Sequence, residues 1–242
     1  MNKQHIDEVL ACLENERRVV AYFKDRYAVD MLKRFVGAGK TVSAVKQSRF
    51  AGLLNKPWIK AQLATLGNPV LSAELLNYWW RDEVFYFDLT LDKWGGQCRS
   101  WQQTTRSGYN LVLQLNFTQS HNRDYKRLPD NYGLSCWPGH PTYTGNKRYT
   151  MAWARIDLSE DLSDALIEEI QTDWLRDAKY SLRRAKRPLL QGKVLSAQTK
   201  QKNHHFECYF TRHIKPVMAI WDEAVLNTAL NFLFDSVGVK NV

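Results

Sequence analysis

Two adjacent carboxylates inside an apolar stretch are the residues of this 242-residue chain whose type and spacing best suit chemistry. They are Glu168 and Glu169, within Ala165–Trp174 (Ala-Leu-Ile-Glu-Glu-Ile-Gln-Thr-Asp-Trp). The stretch reads as a strand running into a polar turn. Strict alternation predicts Leu166, Glu168 and Ile170 on one face and Ile167, Glu169 and Gln171 on the other. A charge inside an apolar strand is costly unless it is paired or protonated, so at least one carboxylate must meet water, a cleft or a base. In an acidic cleft with Gln171, Asp173 and Glu223, Glu168 and Glu169 are candidate catalytic carboxylates; Gln171, Trp174 and Trp221 are then candidate substrate contacts. The plain alternative is a solvent-facing charge that blunts an edge strand. Both readings remain open on sequence.

Other chemistries find less support. Cys12, Cys98, Cys136 and Cys208 form no CxxC and stand outside metal-ligand spacing, which predicts reduced thiols in a cytoplasmic protein. No HExxH or GxSxG occurs. His204, His205, Glu207, Cys208 and His213 cluster in sequence, but on a strand over Phe206–Phe210 the ring of His205 and the thiol of Cys208 diverge, so no metal is expected. Gly37-Ala38-Gly39-Lys40-Thr41 lacks the phosphate-loop spacing, since position 34 is Arg, and it follows a helical pattern. His121 and His140 sit in a long loop, where isolated histidines are ordinarily solvated. No stretch approaches a membrane span.

Charge points to a partner. The net charge is +9 and the isoelectric point is near 9.4, which favours nucleic acid or an acidic protein as partner. Arg176, Lys179, Arg183, Arg184, Lys186 and Arg187 lie on one predicted helix over 173–185, ended by Pro188. They are the candidate nucleic-acid contacts, with basic N-terminal helices beside them.

The elements that must position these groups divide near 80. Residues 1–80 are predicted to form a basic, all-helical subdomain. It comprises a helical pattern over 5–35, a helix from Ser43, one opened by Pro57, and one capped by Ser72 and running to Trp80. Residues 81–242 are predicted as an α+β sheet domain. Its strands are Val84–Leu91, Gln97–Thr105, Tyr109–Phe117, Tyr149–Leu158 and Leu166–Gln171, and a long aromatic-bearing loop over 120–147 is a candidate binding lid. A final helix over 217–234 closes on Gly238, with Trp221 on its buried face, and Val239–Val242 starts a last strand.

Glu168-Glu169-Ile170-Gln171-Thr172-Asp173-Trp174 resembles the Glu-Ile-Gln-Ser-Asp-Trp signature of a domain in large polyvalent proteins of phages and conjugative elements. Thr172 stands for the usual Ser. Trp221-Asp222-Glu223-Ala224 and the helix to Gly238 resemble the later Trp-x-Glu helix of that domain, with Asp222 where His is usual. The order of elements is also similar to the acetyl-CoA-dependent N-acetyltransferase (GNAT) fold. That likeness implies a mainly antiparallel, GNAT-like mixed sheet with flanking helices, and a strand Glu as base in group transfer. No Gly-rich turn follows Asp173-Trp174, so coenzyme A binding of the usual kind is not expected, and no cofactor is named by the sequence. Two functions follow: a group-transfer enzyme with a carboxylate base in a cleft, or a non-catalytic basic binder of nucleic acid or an acidic protein.

Overall fold

The computed structural model describes residues 1–12, 18–67, 70–96, 104–129, 134, 140, 141, 143, 144 and 148–242, with backbone only at 143, 144 and 148. The chain is α+β, with nine α-helices among the described residues. In order they are α1 (Lys3–Cys12), α2 (Arg26–Val36), α3 (Val42–Lys46), α4 (Pro57–Thr65), α5 (Ala73–Asn77), α6 (Gln119–Lys126), α7 (Asp173–Leu190), α8 (Ala197–Tyr209) and α9 (Trp221–Phe232). The strands are β1 (Arg18–Tyr22), β2 (Lys40–Thr41), β3 (Val70–Leu71), β4 (Phe85–Gly95), β5 (Tyr109–Asn116), β6 (Tyr143–Thr144), β7 (Arg148–Leu158) and β8 (Ala165–Gln171).

Two compact units result, one of residues 22–85 and one of residues 1–21 with 86–242. The predicted boundary near 80 therefore shifts, and the first 21 residues join the sheet unit. The physical reason lies in the N-terminal contacts. The ammonium of Met1 donates to Tyr109 O at 2.9 Å and reaches the buried Asp157 at 3.4 Å, while Lys93 pairs with Asp7 of α1. Arg18-Val-Val-Ala-Tyr22 is a strand, not the middle of one long helix. Its β-branched pair outweighs a helical spacing that its neighbours happen to continue.

Among its described residues the unit of residues 22–85 is mainly helical and holds the two-residue pair β2–β3. Phe23, Val29, Leu32, Ile59, Leu71 and Leu76 are among the residues of its core. Thr41 rather than Ser43 caps α3, and Ser72 caps α5 as expected, accepting from Leu75 N at 3.1 Å. Pro57 occupies the first turn of α4. The Gly37–Thr41 segment follows helix α2, whose end Gly37 closes at φ 52°, a left-handed angle that glycine adopts without strain.

In the other unit the strand order is β1–β4–β5–β7, with β8 on the far side of β7 and β6 against its first residues. The pairs β4·β5, β5·β7, β6·β7 and β7·β8 are antiparallel. Directly opposed residues share a face. One face is therefore apolar: Leu89, Leu91, Leu111, Leu113, Leu115, Ala152, Ala154 and Ile156, packed under α7 and α9. The opposite face carries Thr90, Gln114, Asn116, Trp153, Arg155 and Asp157. Several of these polar groups are buried and bonded: Gln114 Nε2 donates to Pro141 O at 2.7 Å, and Asn116 Nδ2 to Thr90 Oγ1 at 2.7 Å.

Three expected elements differ. Phe206–Phe210 is not a strand: it continues α8 into a π-type turn, Phe210–Ile214. Pro188 does not end α7, which runs on to Leu190; a proline this close to a helix C-terminus removes only one ladder bond. Val239–Val242 contributes a single parallel bridge, Asp164 to Asn241. The first residues of the predicted loop of 120–147 belong to α6, which runs from Gln119 to Lys126. Residues 97–103 of the predicted Gln97–Thr105 strand, most of 130–147, and Cys98 and Cys136 lie outside the described residues. No described helix is long and apolar enough to cross a membrane.

Candidate functional site

The two glutamates do not face opposite sides of the sheet. Arg155 pairs with Glu169 while the next residue, Ile156, pairs with Ile167, so Glu168 is the extra residue of a β-bulge. A bulge sets two residues of one strand against one of its partner. Here it keeps Ile167 and Ile170 on the apolar face, opposite Ile156 and Ala154, and turns both carboxylates toward Arg155. Glu169 Oε2 accepts from Arg155 Nε at 2.8 Å and lies 2.5 Å from a terminal nitrogen. Glu168 Oε2 lies 3.8 Å from the other terminal nitrogen, and its Oε1 accepts from Thr105 N at 2.8 Å. The side chains of Arg155 and Glu168 are only 5% and 3% exposed. This is an ion triad of two buried members and one, Glu169, that is 27% exposed. It holds a guanidinium 5.6 Å from the ring of Trp94 rather than leaving a carboxylate poised in open solvent. Glu168 Oε2 and Trp94 Nε1 have no hydrogen-bond partner among the described residues.

Asp173 and Gln171 join this face one step further along. Thr172 caps α7, accepting from Leu175 N at 3.3 Å and donating to Met151 O at 2.6 Å. The cap turns Asp173 into the first helical turn, where a negative charge is favoured, and buries it. Asp173 Oδ1 accepts from Arg176 at 2.6 Å and from Gln171 Nε2 at 3.1 Å, and Oδ2 takes His140 Nδ1 at 2.7 Å. His140 is thus a positioned imidazole, with Trp94 and Trp153 at ring distances of 5.9 and 5.6 Å. A carboxylate on Nδ1 orients the ring and favours a proton on that nitrogen. Sequence reasoning treated His140 as a solvated loop residue; its partner is 33 positions away, and no local pattern links them.

Trp174 and Trp221 have separate surroundings. Trp174 is 2% exposed and packs against Phe117, His121, Tyr125 and Tyr149. Its indole N–H donates to Tyr209 Oη at 2.9 Å; that hydroxyl meets His121 Nε2 at 2.7 Å, and His121 Nδ1 meets Asn122 Oδ1 at 3.0 Å. One assignment satisfies every member: His121 donates from Nδ1 and accepts the Tyr209 proton on Nε2. Burial pushes the His121 imidazolium pKa down to about 3, so the ring is neutral, not solvated as expected. Burial likewise pushes the Tyr209 hydroxyl far up. Trp221 opens α9 and is half-buried, not a core residue as the periodicity predicts, and Glu223 follows in the same first turn. Neither belongs to the Arg155 or Asp173 groups of bonds described above.

The basic residues form a second candidate surface. Helices α7 and α8 pack as a hairpin, tied by Asn203 Nδ2 to Ala185 O at 3.2 Å and by Lys186 to Glu207 at 3.7 Å. Arg176 is engaged by Asp173 and Asp177, with its side chain 54% exposed. Lys179, Arg183, Arg184, Lys186 and Arg187 are exposed, as are Tyr180 (66%) and Leu190 (85%). Residues 179–202 contain eight Lys and Arg and no Asp or Glu.

On a helix, His204 and Cys208 share a face, with Sγ 3.6 Å from Nε2. No group of three or more potential metal ligands converges among the described residues. Comparison with known protein families, with characterised proteins and with solved structures gives no significant match.

Proposed function

We propose that the chain binds nucleic acid through the α7–α8 hairpin. The observation that carries this reading is the uninterrupted basic run: eight cations and no carboxylate over residues 179–202, folded as two packed helices with the side chains of Lys179, Arg183, Arg184 and Arg187 in solvent. Phosphate contacts require only such cations. The exposed ring of Tyr180 adds a surface on which an unpaired base can stack, a contact of about 1–3 kcal/mol, which favours single strands. The resemblance of the Glu168–Trp174 segment to domains of phage and conjugative-element proteins, and a cytoplasmic setting, agree with this reading. Fluorescence anisotropy with a labelled single-stranded 20-mer tests it. The triple variant Arg183→Gln/Arg184→Gln/Arg187→Gln should bind at least about tenfold more weakly at low salt. Equal binding by wild type and variant, or binding only of an acidic protein, contradicts it.

A second reading is favoured by a different observation. The Asp173–His140 pair, whose imidazole shares the Trp94 ring as a neighbour with Arg155, has the form of a base held by a carboxylate. Group transfer at this face would use His140 as the proton acceptor, and Arg155, held by Glu169 and Glu168, as the cation for developing charge. The expected base thus moves from the strand of a GNAT-like sheet to a histidine at its end. A panel of activated acyl and phosphoryl esters tests it: His140→Gln should abolish any turnover the wild type shows while leaving the melting temperature unchanged. Turnover that survives the change contradicts this reading.

A further inference from the structure

A pocket of about 330 Å³ lies between the end of α6 and the C-terminal part of α8, with none of the hairpin cations Lys179, Arg183, Arg184 and Arg187 in its lining. Helix spacing builds it. Asp124, Arg127 and Leu128 (i, i+3, i+4) come from the end of α6, and His205, Cys208, Tyr209 and Arg212 (i, i+3, i+4, i+7) from one face of α8 and its π-type turn. The lining is mainly apolar, and its volume falls at the small end of the range for ligand pockets, about 300–1,000 Å³. Tyr209 and Leu128 are buried and form the floor.

The rim is cationic. Asp124 contributes one negative charge, already engaged by His213 Nε2 at 2.8 Å, Arg212 at 3.1 Å and Arg127 at 3.7 Å. Those contacts hold its carboxyl below the ordinary range, the hydrogen bond from His213 contributing most. The carboxylate serves to aim two guanidinium groups that are 80% and 73% exposed. Each guanidinium carries five N–H donors, and Asp124 uses few of them. His205 adds a third polar group, on the same face of α8 as Arg212.

We infer that this pocket binds a phosphate monoester carrying a flat ring, of the nucleoside monophosphate class. A monocarboxylate is satisfied by one bidentate fork. Donors from three residues on two helices instead match a phosphate, with its charge near −2 and three acceptor oxygens. The apolar floor takes the ring. Such a phosphate could belong to a free nucleotide or to the 5′ end of a strand, and the site stands independently of the basic hairpin.

Calorimetric titration of the whole chain with adenosine 5′-monophosphate tests the inference, with adenosine and inorganic phosphate as partial probes. Saturable one-to-one binding is expected, at least about tenfold tighter than either part. Arg127→Gln/Arg212→Gln, both at exposed positions, should weaken it at least about tenfold. The hairpin variant Arg183→Gln/Arg187→Gln should bind the nucleotide normally, which separates this site from the hairpin reading. Competition by a 5′-phosphorylated oligonucleotide, but not by its 5′-hydroxyl counterpart, identifies a strand end as the source; no difference between the two identifies the free nucleotide. Absence of saturable binding of the monophosphate, or binding unaffected by the Arg127/Arg212 pair, overturns the inference.

Discussion

Truncation of Trp174 should destabilise the sheet unit more than any other single change in the Glu168–Trp174 segment. The indole is 2% exposed and touches Phe117, His121, Tyr125 and Tyr149, and its N–H is bonded to Tyr209. Trp174→Ala therefore opens a cavity under α7 and leaves the Tyr209 oxygen one donor short. Replacing a buried Trp by Ala costs about 3–5 kcal/mol. For a domain of this size that corresponds to a fall of roughly 6–20 °C in Tm. Trp221, half-buried at the start of α9, should cost roughly half as much on the same scale. Trp174→Phe keeps most of the packing and removes the N–H, so its cost should be near 1 kcal/mol. Differential scanning calorimetry of the three variants measures the order. A Trp174→Ala protein that melts within about 2 °C of wild type would refute the reasoning, as would a Trp221→Ala protein that falls further.

Three further outcomes follow from the same geometry. Arg155→Met should destabilise by about 3–5 kcal/mol in urea titration, because it leaves two carboxylates without their cation; Glu169→Gln should cost clearly less, and equal losses would mean the triad is not the stabilising unit. His121 is held neutral in the fold with its pKa pushed down to about 3, so the unfolded chain binds the extra proton. Stability should therefore fall as pH drops from about 6.5 toward about 3. His121→Gln should show a shallower fall over that window, and an unchanged slope would deny the burial effect. Coenzyme A should not bind with micromolar affinity in calorimetry, because the first turn of α7 already holds the buried carboxylate of Asp173 where a pyrophosphate would sit; micromolar binding would contradict that account.

What the sequence disclosed was local. The alternation of Leu111, Leu113 and Leu115, the Ser72 cap and the first-turn Pro57 depend on neighbours within a few positions, and each takes the expected form. The strand over Leu166–Gln171 was legible, but the facing of its glutamates was not: alternation assumes an even ladder, and the bulge at Glu168 breaks it. The aromatic run Phe206–Phe210 looked like a strand because aromatics favour sheets, yet its surroundings continue α8. Arg155 and His140 were missed as members of the site because their partners lie 14 and 33 residues away, and only the folded sheet brings them together.

The central claim is best tested by the salt dependence of oligonucleotide binding. The logarithm of the binding constant should fall linearly with the logarithm of salt concentration, with a slope of about −0.7 for each phosphate neutralised on a single strand. Four hairpin cations, Lys179, Arg183, Arg184 and Arg187, then predict a slope near −3 for wild type. Removing the three arginines should bring it to about −1. A slope that is the same in wild type and variant, or close to zero in both, would contradict binding through the α7–α8 hairpin.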